Sequence, residues 1–119
     1  YPDSKYAYAA INCQIKLQKQ SGGNSNIGRE LYPLFKSIGL TGISVSPRMV
    51  YVDSSRPQLV EGFIKNTFTA MIEGIGKDAI RQGITDSITF EKGIKDLYRT
   101  AESDGVFCYT FFKGFGEKL

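Results

Sequence analysis

Histidine is absent from all 119 residues. That excludes Ser–His and Cys–His nucleophile pairs and every His-ligated metal site. Cysteine occurs twice, as Cys13 and Cys108, and neither stands in a CxxC, so a four-thiolate zinc site is excluded too. Both cysteines sit among apolar neighbours, and the reading is two buried free thiols in a reducing, cytoplasmic compartment rather than a disulfide. Long apolar runs are lacking, so no membrane-spanning segment is expected. No basic, apolar leader heads the sequence, so secretion is not expected. The sequence begins Tyr1-Pro2 without an initiator Met, which suggests a piece of a longer protein.

What is present is an ordinary globular balance: 41% hydrophobic, 13% aromatic and 23% charged residues. A disordered or collagen-like chain does not fit that balance. The net charge is +3, but Lys and Arg are scattered without a cluster, so no nucleic-acid partner is expected.

The periodicity reads α-α-β-α-α-β. Residues 5–20 carry Tyr6, Ala10, Cys13 and Leu17 on one helical stripe, with Asp3 or Ser4 as cap and Gly22-Gly23 as end. Residues 27–38 repeat the pattern with Ile27, Leu31, Leu34, Phe35 and Ile38. Pro33 marks a kink or a first turn, and Gly39 supplies a left-handed end. Over 42–53 the period shortens. Ile43, Val45, Met49 and Tyr51 alternate with Ser44, Ser46, Arg48 and Val52, and Pro47 makes this an edge or bulged strand.

Ser55 to Gln58 fit a capping box for a long helix ending near Gly83. Val60, Ile64, Phe68 and Ile72 form its stripe, with Leu59, Phe63, Met71 and Ile75 beside it, and Gly74 and Gly76 weakening its later turns. A last helix spans 89–103, with Phe90, Ile94, Leu97, Tyr98 and Ala101 inward. Residues 106–113 then form a strand apolar on both faces, which predicts an interior strand with neighbours on both sides. The predicted class is α+β, with four main helices and a pair of antiparallel strands. Two strands alone make a poor sheet, so the rest of a larger sheet is expected elsewhere.

Residues 27–40, IGRELYPLFKSIGL, followed by Ile43-Ser44-Val45, resemble a pattern in the C-terminal part of class I, Rossmann-like S-adenosylmethionine-dependent methyltransferases. There a GR-x-L-x-x-L-x-x-x-G-[FL] run leads into the sixth strand. The seventh strand is antiparallel and lies between the fifth and the sixth. The resemblance implies that residues 1–119 form the C-terminal part of a three-layer methyltransferase domain. Residues 54–105 would be a helical insertion between the last two strands, acting as a substrate lid. The glycine-rich cofactor loop and the acidic residue that holds the ribose are not in this sequence. S-adenosylmethionine is therefore the implied cofactor of a longer protein, with none expected on this chain alone. The implied partners are a small-molecule methyl acceptor and an upstream cofactor-binding half. A homo-oligomer through an exposed strand edge is also expected. The competing reading is a stand-alone ligand-binding or dimerisation module.

The resemblance suggests the cluster Tyr1, Tyr6 and Tyr8, Tyr1 and Tyr6 above all, for the acceptor pocket, since they follow the expected fifth strand. Their other reading is aromatic packing. Arg29 lies in a helical first turn, unfavourable for a cation, and implies either an ion pair with Glu30, Asp53 or another acid, or a contact to a substrate or to the upstream domain. Phe63, Phe68 and Met71 are core residues by default and pocket residues in the alternative. Gly114-Phe115-Gly116 follows a strand but precedes no helix, so it is not read as a phosphate loop. Gly22-Gly23-Asn24 reads as a linker, and Asp53-Ser54-Ser55 as a helix cap.

Overall fold

Ser4 starts the chain's first helix. In a computed structural model describing residues 1–119, its hydroxyl oxygen accepts the backbone N–H groups of Tyr6 and Ala7 and opens α1, Lys5–Gln20. Gly22 ends it with a positive φ of 84°. Ala7, Ala10 and Cys13 are buried. Ile27–Glu30 then form one 3-10 turn and Leu31–Ser37 form α2. Pro33 lies in the first α-helical turn, where its missing N–H costs nothing. Gly39 takes the left-handed position, at φ 78°. The expected stripe of this segment is only half used. Leu31 and Phe35 pack at Gly114, whereas Ile27, Leu34 and Ile38 are exposed.

Strand β1, Thr41–Asp53, pairs antiparallel with β2, Val106–Glu117. Asp53 lies opposite Val106, Tyr51 opposite Cys108 and Val45 opposite Gly114. A register shift between Thr41 and Ser44 accommodates Gly42 at φ 58°. Pro47 is tolerated because β1 has β2 as its single strand neighbour.

Between the strands runs a helical arm: α3 (Pro57–Leu59), a π-helical stretch (Val60–Thr69), α4 (Ala70–Gly74) and α5 (Gly76–Arg81). One continuous α-helix was expected here. A stripe repeating every four residues drifts around an α-helix of about 3.6 residues per turn. The wider i→i+5 turns keep Val60 and Ile64 together, and the Thr67 hydroxyl donates five residues back, to the Gly62 carbonyl at 2.6 Å. The capping box does not form either. Ser55 instead donates its N–H and its hydroxyl to Asp53 Oδ1, making a side-chain turn before the helix.

α6 spans Ser87–Arg99. It starts two residues before the expected position because Asp86, not a later residue, takes the N–H and hydroxyl of Thr89 at 2.8 Å each. It ends four residues early because the Arg99 guanidinium turns back and clamps both oxygens of Asp104. Gly105 then passes so close to the Thr100 carbonyl that a Cβ would lie 2.0 Å from that oxygen.

Two cores result. Ala7, Ala10, Cys13, Ile72, Ala79, Phe90, Ile94 and Leu97 join α1, α4, α5 and α6. Val52, Val60 and Ile64 join the arm to one face of the sheet. The class is α+β, with four helical segments and a two-stranded antiparallel sheet. Two expectations need correction. β2 has a strand neighbour on one side only, so the interior position predicted for it is not provided within these residues. Cys108 is a free but exposed thiol, because the sheet face it shares with Met49 and Tyr51 carries no helix there.

Candidate functional site

The outer edge of β2, opposite β1, is flanked by two grooves. At its start, Val106 exchanges two backbone hydrogen bonds with Tyr1. The Val106 N–H donates to the Tyr1 carbonyl at 3.0 Å, and the Tyr1 ammonium donates to the Val106 carbonyl. From Val106 to Cys108 the edge faces α1, whose Tyr8 and Ile11 line a groove of about 210 Å³. Ser4 closes its top by donating to Asp96 Oδ2 at 2.5 Å, tying α1 to α6. From Tyr109 to Phe112 the edge faces the 3-10 turn, where Ile27, Arg29 and Leu31 line a wider groove of about 780 Å³. Gly28 lets that turn lie directly on β2, since a Cβ would meet the Phe112 ring at 2.3 Å.

On the face of β2 toward the arm, aromatic rings form a cluster. Phe68 lies 4.9 Å from Phe107, and Phe63 lies 6.1 Å from Tyr109 between ring centroids. Tyr109 also approaches Phe68 at 6.4 Å and Phe111 at 6.4 Å. Because Tyr109 also lines the lower groove, it connects the cluster to the edge. Such ring pairs each add about 0.5–1.5 kcal/mol beyond their buried area.

The candidate residues separate into groups. Phe63 and Phe68 meet in the aromatic cluster. Tyr1 lines the upper groove and Arg29 the lower one. Tyr6 turns elsewhere, its ring between the ammonium groups of Lys5 and Lys92 at 5.2 and 4.7 Å. Met71 is 47% exposed on the arm and lines none of these grooves. The ion pair foreseen for Arg29 is not formed. No carboxylate lies within 4.0 Å of it, and Glu30 accepts from the Asn24 amide instead. Sequence reasoning passed over Ile27, Gly28, Phe107 and Tyr109. The signal that could have found the last two was the two-sided apolar pattern of β2.

The clearly shifted titrations lie mostly in turns, caps and core; two exposed tyrosines, Tyr51 beside Asp53 and Tyr98 beside Glu73, are raised by their carboxylate partners. Hydrogen bonds from Ser55 hold Asp53 below the usual carboxylate range, those from Thr89 do the same for Asp86, and the Arg99 guanidinium does so for Asp104. Burial raises the Cys13 thiol. No group of three Cys, Asp or Glu residues converges to hold a metal ion. No helix is long and apolar enough to cross a membrane. The lining along β2 is apolar and hydroxyl-bearing, with Arg29 as the charged side chain of the wider groove and Asp3 as that of the narrower one, a composition suited to holding and enclosing a group. No family model matches the chain, and no curated protein matches it.

Proposed function

We propose that this chain is the C-terminal portion of a class I S-adenosylmethionine-dependent methyltransferase. It supplies the last two strands of the sheet and a helical cover for the acceptor. The observation that carries this reading is the pairing of β1 with β2. They lie side by side and antiparallel although residues 54–105 separate them, and the arm leaves and rejoins the sheet at one end, beside Tyr1. The molecule's spread agrees. Its radius of gyration is 16.9 Å, against roughly 13.5 Å for a compact domain of this length.

These residues do not fit the cofactor itself. Gly114-Phe115-Gly116 lies within β2, with Leu40 packed at Gly116, so it is a stretch of strand and not a turn at a helix N-terminus. The backbone N–H cradle of a helix N-terminus is therefore missing there. No step of methyl transfer is assigned to these residues. Their part is to align the acceptor and exclude water, which in a direct displacement is most of what a protein contributes. Tyr1, Tyr8 and Phe107 line the groove between α1 and β2, close to where the arm rejoins, and their position there supports this aligning role. Labelled methyl transfer from S-adenosylmethionine by the protein of the whole reading frame tests this. Transfer that stops when residues 1–119 are removed supports the reading. A reading frame that neither binds the cofactor nor transfers methyl overturns it.

A further inference from the structure

We infer that the groove between α4 and α6 is a docking site, and that its occupant is an arginine side chain carried on an apolar segment of a partner protein. The groove shares no residue with those along β2, so the inference stands apart from the methyltransferase reading.

The groove holds about 410 Å³ and is lined by Glu73, Phe90, Glu91, Ile94, Lys95 and Tyr98. Its floor is apolar and fixed. Phe90 packs directly on the backbone of Gly76, where a Cβ would stand 2.5 Å from the ring. Phe90 and Ile94 both belong to the helical core. Its rim is acidic. The Tyr98 hydroxyl donates to Glu73 Oε2 at 3.0 Å, which ties α6 to α4 and sets that carboxylate at the groove's edge. Glu91 stands two turns before Tyr98 on α6, on the same side of the helix. Neither carboxylate has a cation within 4.0 Å. Lys95 follows Glu91 at i+4, the favourable order for a helical ion pair, yet the pair is not made.

Two unpaired carboxylates against one ammonium leave the groove net negative above an apolar floor. Its complement is a cation on an apolar stem. Arginine meets that description better than lysine. Its guanidinium is planar and weakly hydrated, and it stacks on aromatic faces, here that of Tyr98. It also gives forked hydrogen bonds to a carboxylate. Its methylene stem can cover Phe90 and Ile94 while the head reaches the rim. Sites for free small molecules enclose most of the ligand, whereas this groove is open, which suits a side chain presented by another protein. Ile88, 75% exposed and one turn before Glu91, extends the apolar surface for the residue beside the arginine.

NMR titration of the isotope-labelled 119-residue chain tests this, with acetyl-Leu-Arg-Leu-amide and its citrulline counterpart as probes. Citrulline keeps the shape and loses the charge. The expected result is saturable shifts of the Glu73, Glu91, Ile94 and Tyr98 amides with the arginine peptide, and about tenfold weaker binding with citrulline. Glu73→Gln keeps an acceptor for Tyr98, and Glu91→Gln alters an exposed position. Each should weaken binding by about three- to tenfold. Lys95→Gln should strengthen it by about two- to threefold, because it removes the groove's own cation. A merely adhesive apolar surface would not respond in opposite directions. Four results overturn the inference: no saturable shift up to about 10 mM peptide; equal binding of the two peptides; unchanged affinity in the variants; or shifts of these amides with protein concentration alone, which makes the occupant a second copy.

Discussion

Gly93 sets how closely α1 and α6 approach. A Cβ there would stand 2.4 Å from the Tyr6 carbonyl oxygen and 2.9 Å from the Ala10 side chain. Gly93→Ala should therefore destabilise the chain by about 1–3 kcal/mol, the usual cost of overpacking, read as a lower urea midpoint. The cysteines differ in the same residue-level way. A maleimide should label Cys108 promptly and reach Cys13 only on unfolding, since Cys13 is buried with a raised thiol pKa. Equal labelling rates would contradict the packing of α1. Acid should weaken the fold through the caps. Asp86 has a folded pKa below its unfolded value, so its contribution is present above the ordinary carboxylate range and is lost as pH falls through the folded value. Asp86→Asn, which keeps a capping oxygen but does not titrate, should flatten the fall in urea midpoint below about pH 4. At this scale some of the structure was legible in the sequence. Ser4 and Gly39 stand where local chemistry alone requires a cap and a left-handed turn. The exposure of Cys108 was not legible, because it depends on which sheet face receives the arm.

Elements were legible where one periodicity dominated. α1 has the predicted bounds, and β1 and β2 lie within a few residues of theirs. The arm was not, because a four-residue stripe is compatible with both α and wider turns, and the neighbours of Val60 and Ile64 decide between them. Gly62 sits in that stretch with no atom within 4 Å of a Cβ built on it. Gly62→Ala should stabilise the chain by up to about 1 kcal/mol through a less flexible unfolded state, seen as a raised melting temperature. A loss of stability would show that the π-helical stretch needs glycine. α2 shows a different failure. Its stripe is real, but the sheet meets only Leu31 and Phe35, so periodicity overstated its burial. The candidate site was legible only in part for a related reason. Tyr1, Arg29, Phe63 and Phe68 were singled out one by one, whereas the feature that groups residues is the edge of β2, which exists only once the strands pair.

At the scale of the whole molecule, the chain measures 52 × 39 × 20 Å, and only 16 of its 119 residues are buried. That is a thin layer with two open strand edges, one on β1 and one on β2, and an uncovered face bearing Met49, Tyr51 and Cys108. Alone and concentrated, it should self-associate through such an edge. Light scattering after size exclusion should show mass rising with concentration, and a clean monomer throughout would count against it. The larger proposal is that a cofactor-binding half completes this layer. Calorimetry with S-adenosylmethionine on two proteins, the 119-residue chain and the product of its full reading frame, separates the possibilities most directly. Binding by the full product and none by the 119-residue chain is the predicted result. Binding by the short chain alone, or by neither, would contradict it.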